Sequence, residues 1–252
     1  MIVAIGDIHG NYYELIDLLG RLSHETDYGT DTFIFLGDYV DGGPDSARVV
    51  RLLRSFQKQY PHWVFLKGNH EDMMLDALRR DSIRYLDRNQ WKGQGGNATI
   101  RSYGEVYFPD ATEYERAIMQ EEDVILPADL DWIESLPLVH TTNNFAFVHA
   151  GFIPELPIDK NEEMDCLWIR SLFYNSDYEW EKRVVFGHTH FDIPLVRRNM
   201  IGIDTLQRME NSPAVGHLSA VVLSDEPGQK YKQRFILADF ETEQDWNYHF
   251  ED

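Results

Sequence analysis

Five short apolar segments of this chain end abruptly in side chains that are suited to binding a metal ion. One of them, TFIFL, is β-branched and aromatic, which is typical of a buried strand, and it runs directly into GDYVDGGPDS. Asp38 and Asp41 therefore lie just beyond a predicted strand, ahead of a glycine turn and of a helix that Pro44 opens. Two carboxylates at a strand end make a candidate metal site, and we expect Asp38 to bridge two ions.

The first third of the chain repeats the order strand, polar turn, helix three times. Strands are predicted over residues 2–5, 32–36 and 63–66, and the segments YYELIDLLGRL, SARVVRLLRSFQKQY and EDMMLDALRR follow with helical spacing of apolar residues. This order predicts a parallel α/β arrangement whose active site lies along the carboxyl ends of the strands.

The rest of the chain is predicted to complete a single domain, 1–252, with a helical cap insertion at about 81–136. Strands return at 144–148, 183–186, 195–198, 200–203, 218–223 and 231–237. Because no long helices separate these strands, we expect the second half to be mainly antiparallel. Two sheets packed face to face, with helices outside, fit both halves. The acidic, aromatic tail FETEQDWNYHFED is expected at the surface.

Charge and composition exclude several classes of protein. The formal net charge of −20 repels nucleic acid and anionic membrane surfaces, so we expect neither as a partner. A single cysteine, Cys166, excludes a disulfide framework. The N-terminal apolar run is too short for a signal peptide, and no apolar run approaches the length of a membrane span. We therefore expect a cytoplasmic protein.

The side chains that follow the five apolar segments are carboxylates, imidazoles and one amide. Neighbouring strands lie only about 5 Å apart, so ligands at their ends can converge. If one carboxylate binds both ions, the set supplies four contacts to each metal. Such ligands suit manganese, iron or zinc, and we expect two divalent metal ions, with Mn²⁺ first. The candidate ligands are Asp7, His9, Asp38, Asn69, His149, His188 and His190.

Each candidate ligand alone has an ordinary explanation. Asp38 could cap the following helix or shape an Asx turn, and His149 or His188 could be a hydrogen-bonded core histidine. The metal-centre interpretation is favoured because all five sites follow strand-like runs and each follows or adjoins a glycine.

The blocks GDIHG, GDYVDGG, GNHE, HAG and GHTH, in that order, resemble the calcineurin-like metallophosphoesterases. More narrowly, they resemble the bacterial and phage branch of the serine/threonine phosphoprotein phosphatases. The stretches WKGQGGNATIRSYG, DCLWIRSLF and NMIGIDT also resemble bacterial members of this branch. The resemblance implies a four-layer α/β/β/α sandwich of two mixed sheets and a dinuclear metal centre.

The same resemblance assigns a role to each site residue. His70 matches the general acid that protonates the leaving-group oxygen, and Asp41 matches the carboxylate that keeps this histidine oriented and charged. The implied ligands of the first metal are Asp7, His9, Asp38 and His190. The implied ligands of the second metal are Asp38, Asn69, His149 and His188.

One position departs from the family pattern. The family usually reads GDxVDRG with a phosphate-binding arginine, whereas this chain has Gly42. Arg170 resembles the second phosphate-binding arginine of the family, although a surface arginine in an ion pair is an equal alternative. Asn69 is the other candidate for contacting the substrate phosphate, and Arg101 is a weaker one.

The resemblance implies hydrolysis of phosphomonoesters by a metal-bound hydroxide, with a phosphorylated protein or a small phosphoester as substrate. A serine/threonine protein phosphatase is the leading hypothesis. The first alternative is a diadenosine tetraphosphatase-like nucleotide hydrolase, for which Trp91, Tyr103 and Tyr107 could form a base-stacking surface. The second alternative is a metal-binding scaffold without enzymatic activity, which Gly42 could mark.

Overall fold

The computed structural model describes residues 1–79, 88–112, 124–207, 215–226, 228 and 230–238. The predicted surface tail, FETEQDWNYHFED, lies outside the described residues. The predicted cap at about 81–136 lies partly outside them, and its boundaries stay a prediction.

Twelve strands and eight α-helices are described. The strands are β1 Ile2–Ile5, β2 Thr32–Phe35, β3 Val64–Phe65, β4 Val139–Thr141, β5 Phe145–Val148, β6 Arg183–Phe186, β7 Leu195–Val196, β8 Met200–Gly202, β9 Leu206–Gln207, β10 Val215–Gly216, β11 Ser219–Leu223 and β12 Gln233–Leu237. The helices are α1 Tyr12–Leu22, α2 Ser46–Gln59, α3 Asn69–Leu78, α4 Arg88–Trp91, α5 Asn97–Tyr107, α6 Pro127–Glu134, α7 Glu163–Trp168 and α8 Ser171–Tyr174.

The described strands form two mixed five-stranded sheets and one two-stranded antiparallel sheet, β9 with β10. The first sheet has the order β12-β11-β1-β2-β3, and the second has the order β4-β5-β6-β8-β7. In the first sheet β1 and β2 are parallel, as are β2 and β3, whereas β11 is antiparallel to both β1 and β12. The prediction of two mixed sheets with helices is confirmed.

Alternate side chains of each central strand enter different cores. In β1, Ile2 and Ala4 pack between the two sheets, whereas Val3 and Ile5 pack under the helices that cover the first sheet. In β5, Phe145 lies between the sheets and faces the same core as Ile2. Strands buried on both faces read as continuous apolar runs, which is why these segments could be recognised in the sequence.

Most of the described strand pairs in the second half are antiparallel, as expected, but the pairs at the centre of the second sheet are not. Strands β5 and β6 are parallel, and so are β6 and β8. The crossover from β5 to β6 carries α7 and α8, of six and four residues, and helices this short leave little apolar periodicity in the sequence.

No helix among the described residues is long and apolar enough to cross a membrane. Cys166 is buried in the core outside the second sheet, and burial raises the pKa of its thiol to about 12. The thiol is therefore a small core side chain rather than a reactive group.

Candidate metal centre

The polar side chains predicted to meet at the strand ends do converge, and Asp38 lies at their centre. One carboxylate oxygen, Oδ1, is 3.4 Å from His149 Nε2, and the other, Oδ2, is 3.5 Å from His9 Nε2. His70 Nε2 lies 4.0 Å from the same Oδ2 atom. Asp38 follows β2 by three residues and His149 directly follows β5, so the two sheets each deliver part of the cluster.

Four site residues adopt the left-handed backbone conformation. The φ angles are +47° for His9, +52° for Asp38, +70° for Asp41 and +60° for His188, and Glu155 is the one other described non-glycine residue in this region. This conformation costs a non-glycine residue roughly 1–3 kcal/mol and concentrates at functional sites. It turns each side chain sharply away from the preceding chain direction and into the shared centre.

A second set of contacts joins Asn69, His149 and His188. The Asn69 Oδ1 atom lies 2.8 Å from His149 Nε2 and 2.8 Å from His188 Nδ1. The other ring nitrogen of His149, Nδ1, donates to the Leu36 carbonyl at 2.9 Å, which directs Nε2 towards Asp38. Burial lowers the pKa values of His149 and His188, which favours the unprotonated rings that a cation requires.

Asp7 carries a buried carboxylate for which a cation is a fitting partner. Its Oδ2 atom accepts the His188 backbone N–H at 2.8 Å, whereas Oδ1 has no hydrogen-bond partner among the described residues. Burial raises the pKa of Asp7 well above its usual value, and the carboxylates of Asp204 and Asp38 raise it further. A Cβ atom at Gly187 would lie 2.0 Å from Oδ1, so only glycine permits this approach.

The charge of Asp38 is stabilised by its neighbours. Burial alone would raise the pKa of Asp38, but His149, His70, His9 and His188 outweigh that effect and lower it below the usual range. Asp38 is therefore an anion among imidazoles. This donor set, together with the unpaired Asp7 oxygen, fits a site for divalent cations.

His70 and Asp41 form a hydrogen-bonded pair beside the cluster. His70 Nδ1 donates to Asp41 Oδ2 at 2.9 Å, and the His70 backbone N–H donates to Asp38 Oδ1 at 3.0 Å. Burial opposes protonation of His70, but Asp38 and Asp41 together raise its pKa to about 9. The ring is therefore protonated at neutral pH, with Nε2 on the side that faces Asp38.

Sequence reasoning missed two buried carboxylates at the site. Glu71 accepts four backbone N–H groups, two on each oxygen, from Asp38, Gly68, Tyr39 and Val40 at 2.8–3.2 Å. It thereby ties the turn that presents Asp38 to the start of α3. The signal was its place in GNHE, three residues beyond Gly68.

Asp204 is the second buried carboxylate, and it lies in the stretch NMIGIDT, which resembles the family but does not by itself mark Asp204 as a site residue. Its Oδ1 atom lies 3.9 Å from His190 Nδ1, and its charge raises the pKa of His190. The second carboxylate near His190 is that of Asp192, at 4.0 Å. The described contacts of His190 thus run to these carboxylates.

The aromatic and cationic side chains predicted around the site differ in their exposure to solvent. Trp91 and Tyr103 are fully buried, so the expectation that they stack on a base is wrong; Tyr107 is half-buried. Arg170 donates from Nη1 to the His188 carbonyl at 2.9 Å, which places its guanidinium at the rim of the cluster. Arg101 is exposed on α5.

Comparisons with known proteins agree with this geometry. Residues 1–200 match the family described as calcineurin-like phosphoesterase. The chain is 31% identical over 233 residues to Serine/threonine-protein phosphatase 2 of Escherichia coli strain K12, covering 86% of this chain and 89% of that one. It is 26% identical over 224 residues to Bis(5'-nucleosyl)-tetraphosphatase PrpE of Oceanobacillus iheyensis, covering 80% and 82%.

The fold is also found among solved structures. One of them, provisionally assigned as a diadenosine tetraphosphatase, superposes with a TM-score of 0.59 at 22% identity, covering 94% of this chain and 93% of that one. At this identity the match shows the shared fold alone.

Proposed function

Because the chain belongs to the calcineurin-like phosphoesterase family, and is a phosphoesterase hydrolase by that membership, we propose that it is a serine/threonine protein phosphatase dependent on two divalent cations. The observation that carries the proposal is the protonated His70–Asp41 pair, placed beside the cluster of metal-binding groups around Asp38. Such a pair can protonate an alkoxide, which is the leaving group when a phosphoserine or phosphothreonine is hydrolysed.

The chain offers two groups of ligands for the cations. His9 and Asp38, with Asp7 and His190, would hold one ion. Asp38, with Asn69, His149 and His188, would hold the other. Of these seven residues His190 has the least support, since its described contacts are to Asp204 and Asp192. Manganese is the proposed metal, with iron and zinc as alternatives.

Two bound cations would lower the pKa of the attacking water and neutralise charge on the phosphate. His70 and Asp41 would supply the proton transfer to the leaving group. As the phosphorus–oxygen bond to the leaving group breaks, the proton on His70 Nε2 passes to the departing serine or threonine oxygen. Asp41 accepts a hydrogen bond from His70 Nδ1–H throughout, without taking the proton, and so keeps the ring oriented. The products are an alcohol and inorganic phosphate, and the proton released by the attacking water restores His70.

Arg170 is the proposed phosphate-binding residue in place of the arginine that Gly42 replaces. Its Nη1 is fixed by the His188 carbonyl, and the side chain is exposed at the rim, so its other N–H groups can reach a bound phosphate. The alternative of a surface ion pair has no support in its described contact, which is to a carbonyl.

An Arg170→Ala variant is expected to raise KM for a phosphothreonine peptide about tenfold or more. One lost hydrogen bond to a charged group costs about 1.5–3 kcal/mol, which corresponds to that change. Arg170→Lys should recover only part of the loss because lysine lacks the planar fork. Arg198→Ala is the matched control, since Arg198 pairs with Glu179 on the surface. An unchanged KM in both Arg170 variants would contradict the assignment.

The nucleotide hydrolase is the second candidate, and the similarity to the tetraphosphatase of Oceanobacillus iheyensis favours it. Against it, Trp91 and Tyr103 are buried and cannot stack on a base. The deciding measurement compares kcat/KM for a phosphothreonine peptide and for diadenosine tetraphosphate with Mn²⁺ present. We expect the peptide to be preferred at least tenfold. The opposite order would select the nucleotide hydrolase, and bound metal without turnover of either substrate would select the metal-binding scaffold without enzymatic activity.

The cytoplasmic location of the protein stays a prediction.

A further inference from the structure

The stretch WKGQGGNAT contacts the catalytic pair at atoms that matter for its geometry. Asp41 is completely buried. Its Oδ2 atom accepts a hydrogen bond from Trp91 Nε1 at 3.0 Å, in addition to the bond from His70 at 2.9 Å. Its Oδ1 atom accepts from the Thr99 hydroxyl at 2.7 Å, and its backbone N–H donates to the same hydroxyl oxygen at 2.9 Å.

We propose that Trp91 and Thr99 are positioning residues that fix the carboxylate plane of Asp41 and, through it, the direction of the His70 ring. The inference rests on the proposed function, in which His70 protonates the leaving group. Neither residue touches the substrate. Both act on a carboxylate that already has His70 as its partner.

The backbone of this stretch is built to approach Asp41 closely. Gly95 has φ +108°, and its carbonyl accepts the Gly42 N–H at 3.3 Å. A Cβ atom at Gly95 would lie 2.5 Å from the Gly42 nitrogen. A Cβ atom at Gly96 would lie 2.6 Å from the Trp91 ring. Only glycines at these two positions let the chain fold over the turn and bring Trp91 and Thr99 to opposite oxygens of one carboxylate.

The physical effect follows from the number of donors on Asp41. A buried carboxylate that accepts a hydrogen bond from a single imidazole can rotate about its own Cβ–Cγ bond and still keep that hydrogen bond. Here Oδ1 of Asp41 accepts a hydrogen bond from Thr99, and one lone pair of Oδ2 accepts a hydrogen bond from Trp91. The other lone pair of Oδ2 is therefore fixed in direction. The His70 ring must align with it. A shift of about 1 Å in a catalytic group can cost roughly 100-fold in rate, so this restraint bears on the reaction.

The dependence on leaving group separates this role from a general effect on folding. An alkoxide leaves poorly and needs a proton, whereas p-nitrophenolate is a stable anion and needs little assistance. General acid catalysis contributes about 10²–10⁴-fold when the proton is required. Loss of His70 alignment should therefore slow the hydrolysis of a phosphothreonine peptide more than the hydrolysis of p-nitrophenyl phosphate.

The test uses Trp91→Phe and Thr99→Val, which keep ring or volume and remove only the donor. We expect each to lower kcat on the peptide, relative to kcat on p-nitrophenyl phosphate, by about tenfold, with KM little changed. His70→Asn should show the same pattern more strongly. Thr99→Ser keeps the hydroxyl and should keep the ratio. Trp132→Phe is the matched control, because Trp132 Nε1 donates to Gln57 and not to the pair.

A second measurement does not depend on turnover. In the metal-free protein, the Nδ1 proton of His70 should give a downfield proton NMR signal that Thr99→Val broadens or shifts and Thr99→Ser preserves. An unchanged ratio of kcat on the peptide to kcat on p-nitrophenyl phosphate in Trp91→Phe and Thr99→Val would overturn the inference, and so would an unchanged NMR signal in Thr99→Val. If the wild type hydrolyses neither substrate, the proposed function is wrong, and the NMR comparison alone decides the positioning role: an unchanged signal in Thr99→Val overturns it, and a changed one supports it.

Discussion

An Asp38→Asn variant is expected to lose about 10²–10⁴-fold in kcat/KM on a phosphothreonine peptide. Removing one charged partner from a buried cluster costs about 3–5 kcal/mol, which corresponds to this loss when the cluster is needed for the reaction. Asp38 has atoms within 4.0 Å of His9, His70 and His149, so its carboxylate lies between the two proposed groups of ligands. Steady-state kinetics and elemental analysis of bound metal measure the effect.

The substitution is expected to spare the fold. Asparagine has nearly the size of aspartate and tolerates the left-handed conformation that position 38 adopts, with φ +52°. The backbone N–H of residue 38 would still donate to Glu71. Loss of activity should therefore come with loss of one or both ions and with an unchanged circular dichroism spectrum.

Asp45→Asn is the matched control, because Asp45 lies in the same loop and pairs with Arg48 at 3.2 Å. It should keep both ions and full activity. An Asp38→Asn protein with two bound ions and wild-type kcat/KM would sink the proposal that Asp38 bridges the metals.

The strands could be predicted because their side chains enter two apolar cores. Strand β1 was expected at 2–5 and is found at Ile2–Ile5, and β6 was expected at 183–186 and is found at Arg183–Phe186. Strand β4 was missed, since its residues are half-buried or exposed and VHT has no apolar run. The sequence of a strand that is buried on one side only carries a weaker signal.

The convergence of the ligands could be predicted from topology, but the side-chain directions could not. Asp7 and Asp38 follow β1 and β2, neighbouring strands of the first sheet whose ends lie close together, and His149 follows β5 of the second sheet, which packs against the first. The left-handed turns at Asp38 and His188 depend on surrounding hydrogen bonds, such as those that Glu71 and Asp7 accept from the backbone. Contacts between residues that are far apart in sequence leave no local pattern.

The burial of Trp91 also depends on contacts that leave no local pattern in the sequence. Its aromatic character allows a base-stacking surface under the nucleotide-hydrolase alternative, although aromatic side chains in a cap more often pack against other residues. Its burial and its bond to Asp41 arise from the two glycines at 95 and 96, which let the chain close over the turn. The two glycines can be read from the sequence, but the groups that they approach, the Gly42 backbone and the Trp91 ring, cannot be predicted from it.

The buried charges of the site make the stability of the protein depend on pH and on metal. Burial and the nearby Asp38 carboxylate raise the pKa of Glu71 to about 8, and the pKa of His70 rises to about 9. A group with a raised folded-state pKa stabilises the fold fully below its unfolded pKa and loses that contribution as pH rises through the folded value. Both groups therefore weaken the metal-free fold between pH 7 and pH 9.

We expect the Tm of the metal-free protein to fall as pH rises from 7.0 to 8.5, and Mn²⁺ to reverse the fall. The comparison starts at pH 7.0 because unfolded histidines, with a pKa of about 6.5, have by then lost most of their protons. A cation at 100 times its Kd adds about 3 kcal/mol per site, and two sites should raise Tm by roughly 10–20 °C. Differential scanning calorimetry with and without chelator measures both effects.

The same two variants decide whether the stabilisation comes from the proposed centre. Asp45→Asn should gain as much from Mn²⁺ as the wild type, because Asp45 is outside the cluster. Asp38→Asn should gain little, since its ligand set lacks the shared carboxylate. A metal-free protein with equal Tm at both pH values and no response to divalent cations would contradict the metal centre itself. A full response in Asp38→Asn would instead place the ions away from Asp38, because mass action stabilises the fold only through the site that binds.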